Sequence, residues 1–165
     1  MTIKTKVSFK EYYKLLFGLT YRRPLMKAIV GIGFVMAVWI LGYYLDFIPV
    51  PKPEIYQYIT LTLIGIIQPV VVFWTIKRNY DSNNHLGEQL EINVTIKEIV
   101  MQGESFYTRI AWEKVFKVDE EKNWFLVYQN SLSAILISKK DMNNAEIQEL
   151  KMILKEISNI PIHLK

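Results

Sequence analysis

The sequence predicts an α+β membrane protein: an N-terminal transmembrane helical hairpin followed by a small antiparallel β-sheet or partial barrel with a capping C-terminal helix. Three observations predict it. Two long apolar runs without a charged residue lie in the first half. Short alternating runs rich in Val, Ile, Tyr, Phe and Trp fill most of the second half. Near the end, apolar residues recur at helical spacing.

The first apolar run, 28–45, reads AIVGIGFVMAVWILGYYL, and the second, 55–76, reads IYQYITLTLIGIIQPVVVFWTI. At 1.5 Å per residue, about 20 apolar residues cross a hydrocarbon core. The first run holds nine Leu, Ile, Val or Phe and the second twelve. At roughly −0.3 to −0.6 kcal/mol each, insertion is favoured by about 3–5 and 4–7 kcal/mol before polar residues are counted. A buried helix of a water-soluble protein normally keeps a polar face. The first run has none, its polar groups being those of Trp39, Tyr43 and Tyr44, which suit an interface. The run starts late and no A-x-A-like site follows it, so it reads as an anchor and not a cleaved signal.

Between the runs lies DFIPVPKPE, whose prolines at 49, 51 and 53 cannot continue a helix. So short a link implies an antiparallel hairpin. Arg22, Arg23, Lys27, Lys77 and Arg78 flank its two ends, whereas the link carries one Lys and two acids. The positive-inside rule then puts both termini in the cytoplasm. Pro69 leaves the Gly65 carbonyl without its usual donor, which predicts a kink. Gln68 is polar at membrane depth and is expected to face protein. Gly33 and Ala37 offer a small-x-x-x-small packing face. Gln68 and Pro69 are therefore the candidates for an intramembrane contact.

Ahead of the hairpin, Ser8 and Glu11 have the spacing of a capping box. Phe9, Tyr12, Tyr13, Leu16, Phe17 and Thr20 follow at helical spacing. Residues 1–27 thus read as an amphipathic helix with a basic flank, lying on the membrane surface or packed on the soluble domain.

Charge separates the two halves. Residues 1–78 hold ten Lys or Arg against three acids, and 79–165 hold ten against thirteen. The first half is thus at +7 and the second at −3, which sum to the net charge of +4. The basic excess lies with the membrane flanks, and the acidic second half speaks against nucleic acid as a partner. With no cysteine, disulfides, thiolate catalysis and cysteine-bound zinc are excluded.

Residues 79–89 read as a polar linker, and 90–165 as the soluble domain. Six strands are expected, at 90–95, 98–102, 106–112, 115–119, 124–129 and 133–138, with the charged DEEKN segment at 119–123 as a solvated turn. Asn143 can cap a final helix with Glu146 at N3, and Ile147, Leu150, Ile153, Leu154 and Ile157 form its apolar stripe. Pro161 should end it. Together the hairpin occupies 28–78, with helices at about 28–48 and 55–76.

The segments Ile110-Ala111-Trp112, Val115 with Lys117 and Val118, Trp124 to Tyr128, and Ala134 to Lys140 before the last helix resemble the YcxB-like family of bacterial membrane proteins. That resemblance implies two transmembrane helices and a C-terminal domain related to bacterial pleckstrin-homology-like (PH-like) domains. It supplies no active site, and the six strands fall one short of the seven in a full PH barrel.

No phosphate-binding loop, nucleophile elbow or dinucleotide fingerprint occurs, and His85 and His163 lack a second ligand at metal spacing. No catalytic residue, cofactor or metal is expected. Trp112, Trp124 and Tyr128 are candidates for a domain cavity or core. The function expected is that of a non-enzymatic membrane protein whose cytoplasmic domain binds a protein partner or docks on the lipid bilayer. The alternative is an immunity protein that protects its producer from a toxin or bacteriocin. A homo-oligomer is open on either reading.

Overall fold

The computed structural model describes residues 1–165 apart from Leu132, with Asn84 and His85 described by their backbone alone. The chain divides into two compact units. One is helical, Phe9–Ser82, and the other is an α+β unit made of Met1–Ser8 together with Asn83–Lys165.

The helical unit contains α1 (Phe9–Arg22), α2 (Pro24–Tyr44) and α3 (Ile55–Ser82). Pro24 suits the first turn of α2, where no N–H is needed. The chain leaves α2 at Tyr44, short of the expected 48, because Asp46 takes a positive φ of 53° and the Phe47 amide turns back to the Gly42 carbonyl. Helix α3 runs past the apolar stretch into the expected linker, since 77–82 contains neither Gly nor Pro. Both helices are long and apolar enough to cross a membrane, each with a mean hydropathy of 2.1. Only 11% and 6% of their most apolar windows are buried. Phe34, Val35, Leu41, Ile59, Ile66 and Val71 are all exposed.

The two long helices meet closely at Gly33. A Cβ added there would lie 2.7 Å from Ile64 Cγ2, so only glycine allows this approach. Ahead of Pro69 the backbone widens into a π turn over Leu63–Ile67, and the Gln68 N–H reaches back to the Leu63 carbonyl. The α-helical pattern is thus interrupted directly ahead of Pro69, the residue that lacks an N–H.

In α1, Phe9, Tyr13, Phe17 and Tyr21 stack successively at 6.2, 5.3 and 4.4 Å between ring centroids. Phe9 and Tyr13 also meet Phe73 of α3, and Phe9 and Tyr12 meet Tyr80. The aromatic face read from the sequence is thus used against α3.

Among its described residues the α+β unit holds two four-stranded sheets. The first has the order β1-β2-β3-β4, with β1 at Thr2–Thr5, β2 at Leu90–Val94, β3 at Glu98–Gln102 and β4 at Tyr107–Ala111. All its pairs are antiparallel. The second has the order β7-β6-β5-β8, with β5 at Lys117–Glu121, β6 at Trp124–Tyr128, β7 at Ala134–Ser138 and β8 at Ile162–His163. The sheets are not closed into a barrel. Helix α4 (Asn144–Glu156) lies between β7 and β8 in sequence.

Strand β1 corrects the reading of residues 1–27 as helix and flank alone. Ile3 and Thr5 are buried while Thr2 and Lys4 are exposed, a period-2 pattern too short to stand out in sequence. Both sheets and α4 share one core, including Ile3, Ile92, Ile99, Val118, Phe125, Ile137, Leu150 and Leu154. Asn143 caps α4 as expected: its Oδ1 accepts from the Glu146 amide at 2.9 Å, and its own amide donates to Glu146 Oε2 at 2.7 Å. The helix stops at Glu156, ahead of Pro161.

Candidate functional site on the edge of strand β5

The segment read as a solvated turn, DEEKN, is mostly strand. Strand β5 continues through Glu121, leaving Lys122 and Asn123 to make the turn. The reason is Glu120, which is 4% exposed and shares its strand face with buried Val118. A buried carboxylate needs ionic or hydrogen-bonding partners. Lys139 Nζ lies 2.5 Å and Lys151 Nζ 2.8 Å from its Oε1, and the Lys165 amide donates to Oε2 at 2.6 Å. Lys139 sits in the turn after β7 and Lys151 on α4, so one carboxylate ties three elements and the tail together. Lys139 also donates to the Glu121 carbonyl at 2.8 Å and lies over the Phe125 ring. Burial opposes ionisation of Glu120, but the hydrogen bonds from Lys139, Lys151 and the Lys165 amide outweigh it and hold its pKa below the ordinary value.

The neighbouring Asp119 is half-buried and receives Lys117 Nζ at 2.5 Å. Its Oδ1 lies 2.8 Å from His163 Nδ1. Burial again opposes ionisation, and the bonds from Lys117 and His163 again outweigh it, so its pKa is also lowered. Lys165 Nζ reaches Glu121 at 3.1 Å.

These contacts fix the tail against β5. Val118 pairs with Ile162 and Asp119 with His163 in a parallel ladder, and the Val118 amide donates to the Pro161 carbonyl at 3.0 Å. Ile160, Ile162 and Leu164 pack against the core, while Pro161, His163 and Lys165 are exposed. The tail histidine is exposed, yet it holds a strand position with the Asp119 carboxylate as its neighbour. The arrangement is suited to gripping an extended backbone. Carboxylates held ionised by ammonium groups are poor proton donors, so it is ill suited to acid catalysis.

The residues singled out from sequence do not converge. Gln68 is half-buried, with Nε2 3.2 Å from Met26 Sδ on α2 and Oε1 buried without a partner. Pro69 follows it at the end of the π turn. Trp112 belongs to the core of the α+β unit, and its indole N–H donates to the Thr95 carbonyl at 2.8 Å. Trp124 is buried on the face of β6 opposite Phe125 and Val127. Tyr128 is half-buried at the end of that strand, with Lys117 over its ring. The side chain of His85 lies outside the described residues. Among the described residues, no three His, Asp or Glu side chains are grouped to hold a metal ion.

The fold defines a class: an α+β chain carrying two helices long and apolar enough to cross a membrane. Residues 97–154, from β3 through most of α4, match the family model described as YcxB-like protein, so over that stretch the chain carries a YcxB-like domain. The resemblance read from the sequence is borne out there. No curated protein and no solved structure matches the chain.

Proposed function

We propose that this is a non-enzymatic bacterial inner-membrane protein. Its α2–α3 hairpin spans the bilayer with both ends cytoplasmic, and its PH-like α+β unit binds a protein partner at the membrane surface or docks on the bilayer. The observation that carries this reading is the pairing of β1 with β2 around the helical unit. Strands on either side of a membrane hairpin can form one ladder only if the chain crosses an even number of times. The uncovered apolar faces of α2 and α3 support insertion, since no soluble core buries them. The basic flanks support a cytoplasmic position for both ends.

Support for the PH-like assignment comes from the strand count. Strand β1 adds a seventh antiparallel strand to the six read from sequence, while the two-residue β8 joins the second sheet in parallel after α4. A unit held by its anchor near the bilayer meets membrane-bound partners at high effective concentration.

The test is photo-crosslinking in intact cells. A benzophenone amino acid replaces exposed Tyr107 or Phe116 of the full chain. Adducts with a second protein or with phospholipid are the expected result. Absence of both, with the chain folded and in the membrane fraction, would contradict the reading.

A further inference from the structure

Strand β8 is the shortest of the described strands, two residues on the edge of β5. Its ionic contacts are largely solvent-facing: the side chains of His163 and Lys165 are 68% and 64% exposed. Pairs of that kind contribute about 0–1 kcal/mol each. The ladder itself is only two residue pairs, so the tail can leave β5 without unfolding either sheet, at the cost of the Lys165 amide's bond to Glu120 and the core contacts of Ile160, Ile162 and Leu164. What the tail would leave behind is a formed groove. It has a strand edge with unpaired backbone groups, the carboxylates of Asp119, Glu120 and Glu121, and Lys151 of α4, whose Nζ donates to the Lys165 carbonyl at 2.6 Å.

We propose that Pro161–Lys165 is an internal strap occupying a peptide-binding groove along β5, and that an extended partner segment of the same chemistry replaces it. That chemistry is set by the tail: aliphatic side chains at alternate positions, as at Ile160, Ile162 and Leu164, followed by a basic residue at the Lys165 position. The β5 edge supplies the ladder, the core supplies the apolar contacts, and Glu121 receives the cation. This inference rests on the reading that the α+β unit binds a protein partner, and it adds how the site is kept closed. A groove open only part of the time binds with an affinity reduced by its open fraction.

The experiment uses the full chain in detergent and a fluorescent peptide with the sequence of residues 158–165, SNIPIHLK. A scrambled peptide is the control. In one variant, Ile162→Ser with Leu164→Ser, the strap is loosened. In a second, Asp119→Cys with His163→Cys, it can be locked, because the two side chains already touch and the chain has no other cysteine. The loosened variant should bind the peptide roughly tenfold tighter than the unmodified chain. The oxidised lock should lose binding that its reduced form shows. A folded loosened variant that binds no better than to the scrambled peptide overturns the strap. So does an oxidised lock that binds as well as its reduced form, a comparison that decides the matter even if the loosened variant fails to fold. Partner crosslinks at Tyr107 or Phe116 in a chain blind to the peptide would leave partner binding standing and remove the strap alone.

Discussion

Ile3 and Ile92 face each other across an antiparallel ladder, 3% and 0% exposed, although the whole helical unit lies between them in sequence. The α+β unit is therefore closed by the first residues of the chain. Truncating a buried aliphatic side chain to Ala costs about 2–5 kcal/mol. Ile3→Ala should destabilise that unit by about 3 kcal/mol, followed by denaturant unfolding with tryptophan emission. Exposed Lys6→Ala should change it by less than about 0.5 kcal/mol. Equal effects of the two would show that β1 contributes nothing to the sheet.

Glu120 gives the second prediction. Leaving the half-buried Lys139 and Lys151 ammonium groups without the buried carboxylate they share costs up to about 3–5 kcal/mol. Glu120→Ala should lower stability by that order, whereas exposed Glu113→Ala should leave it nearly unchanged. A small effect at Glu120 would return it to the solvated role first read from its sequence.

The same network sets an acid limit. The ordinary values for Glu120 and Asp119 are 4.5 and 3.8, and folding lowers both. In acid the unfolded chain then binds more protons than the folded one. The stabilisation is fully present above those ordinary values and is lost as pH falls through the lower folded-state values. Melting temperature should fall as pH drops below about 4.5, and Glu120→Gln should flatten that slope. An unchanged slope in the variant would exclude Glu120 as its source.

Helix packing provides a test with its own control. A methyl at Gly33 would sit 2.7 Å from Ile64 Cγ2, whereas one at Gly31 would meet nothing within 4 Å. Gly33→Ala should destabilise the helical unit by about 1–3 kcal/mol, as overpacking does. Gly31→Ala should be neutral or slightly stabilising. Adding Ile64→Ala should restore the Gly33 variant, as read by thermal melts in detergent. Failure of that rescue would separate Gly33 from the α2–α3 contact.

Much of this architecture was legible in sequence because strong periodic signals carry it. The two apolar runs, the Asn143–Glu146 cap and the strands expected at 98–102 and 124–129 follow from local pattern alone. Three features were not legible, each for a stated reason. Four residues of alternation at Thr2–Thr5 are too few to distinguish a strand from a flank. Three consecutive acids look like solvent until Lys139 and Lys151, far away in sequence, arrive beside Glu120. A tail of two ladder pairs carries no periodic signature at all. The candidate site was missed because it is assembled by tertiary contacts, while the aromatic residues that stood out in sequence are dispersed.

Topology tests the central claim most directly. Because the chain has no cysteine, single replacements at Lys6, Lys52 and Ser82 can each be probed with a membrane-impermeant thiol reagent on intact cells or spheroplasts. A hairpin with its ends inside predicts labelling at position 52 alone, with 6 and 82 reacting only after permeabilisation. Labelling at 6 or 82 from outside, or different sidedness for those two positions, would contradict it.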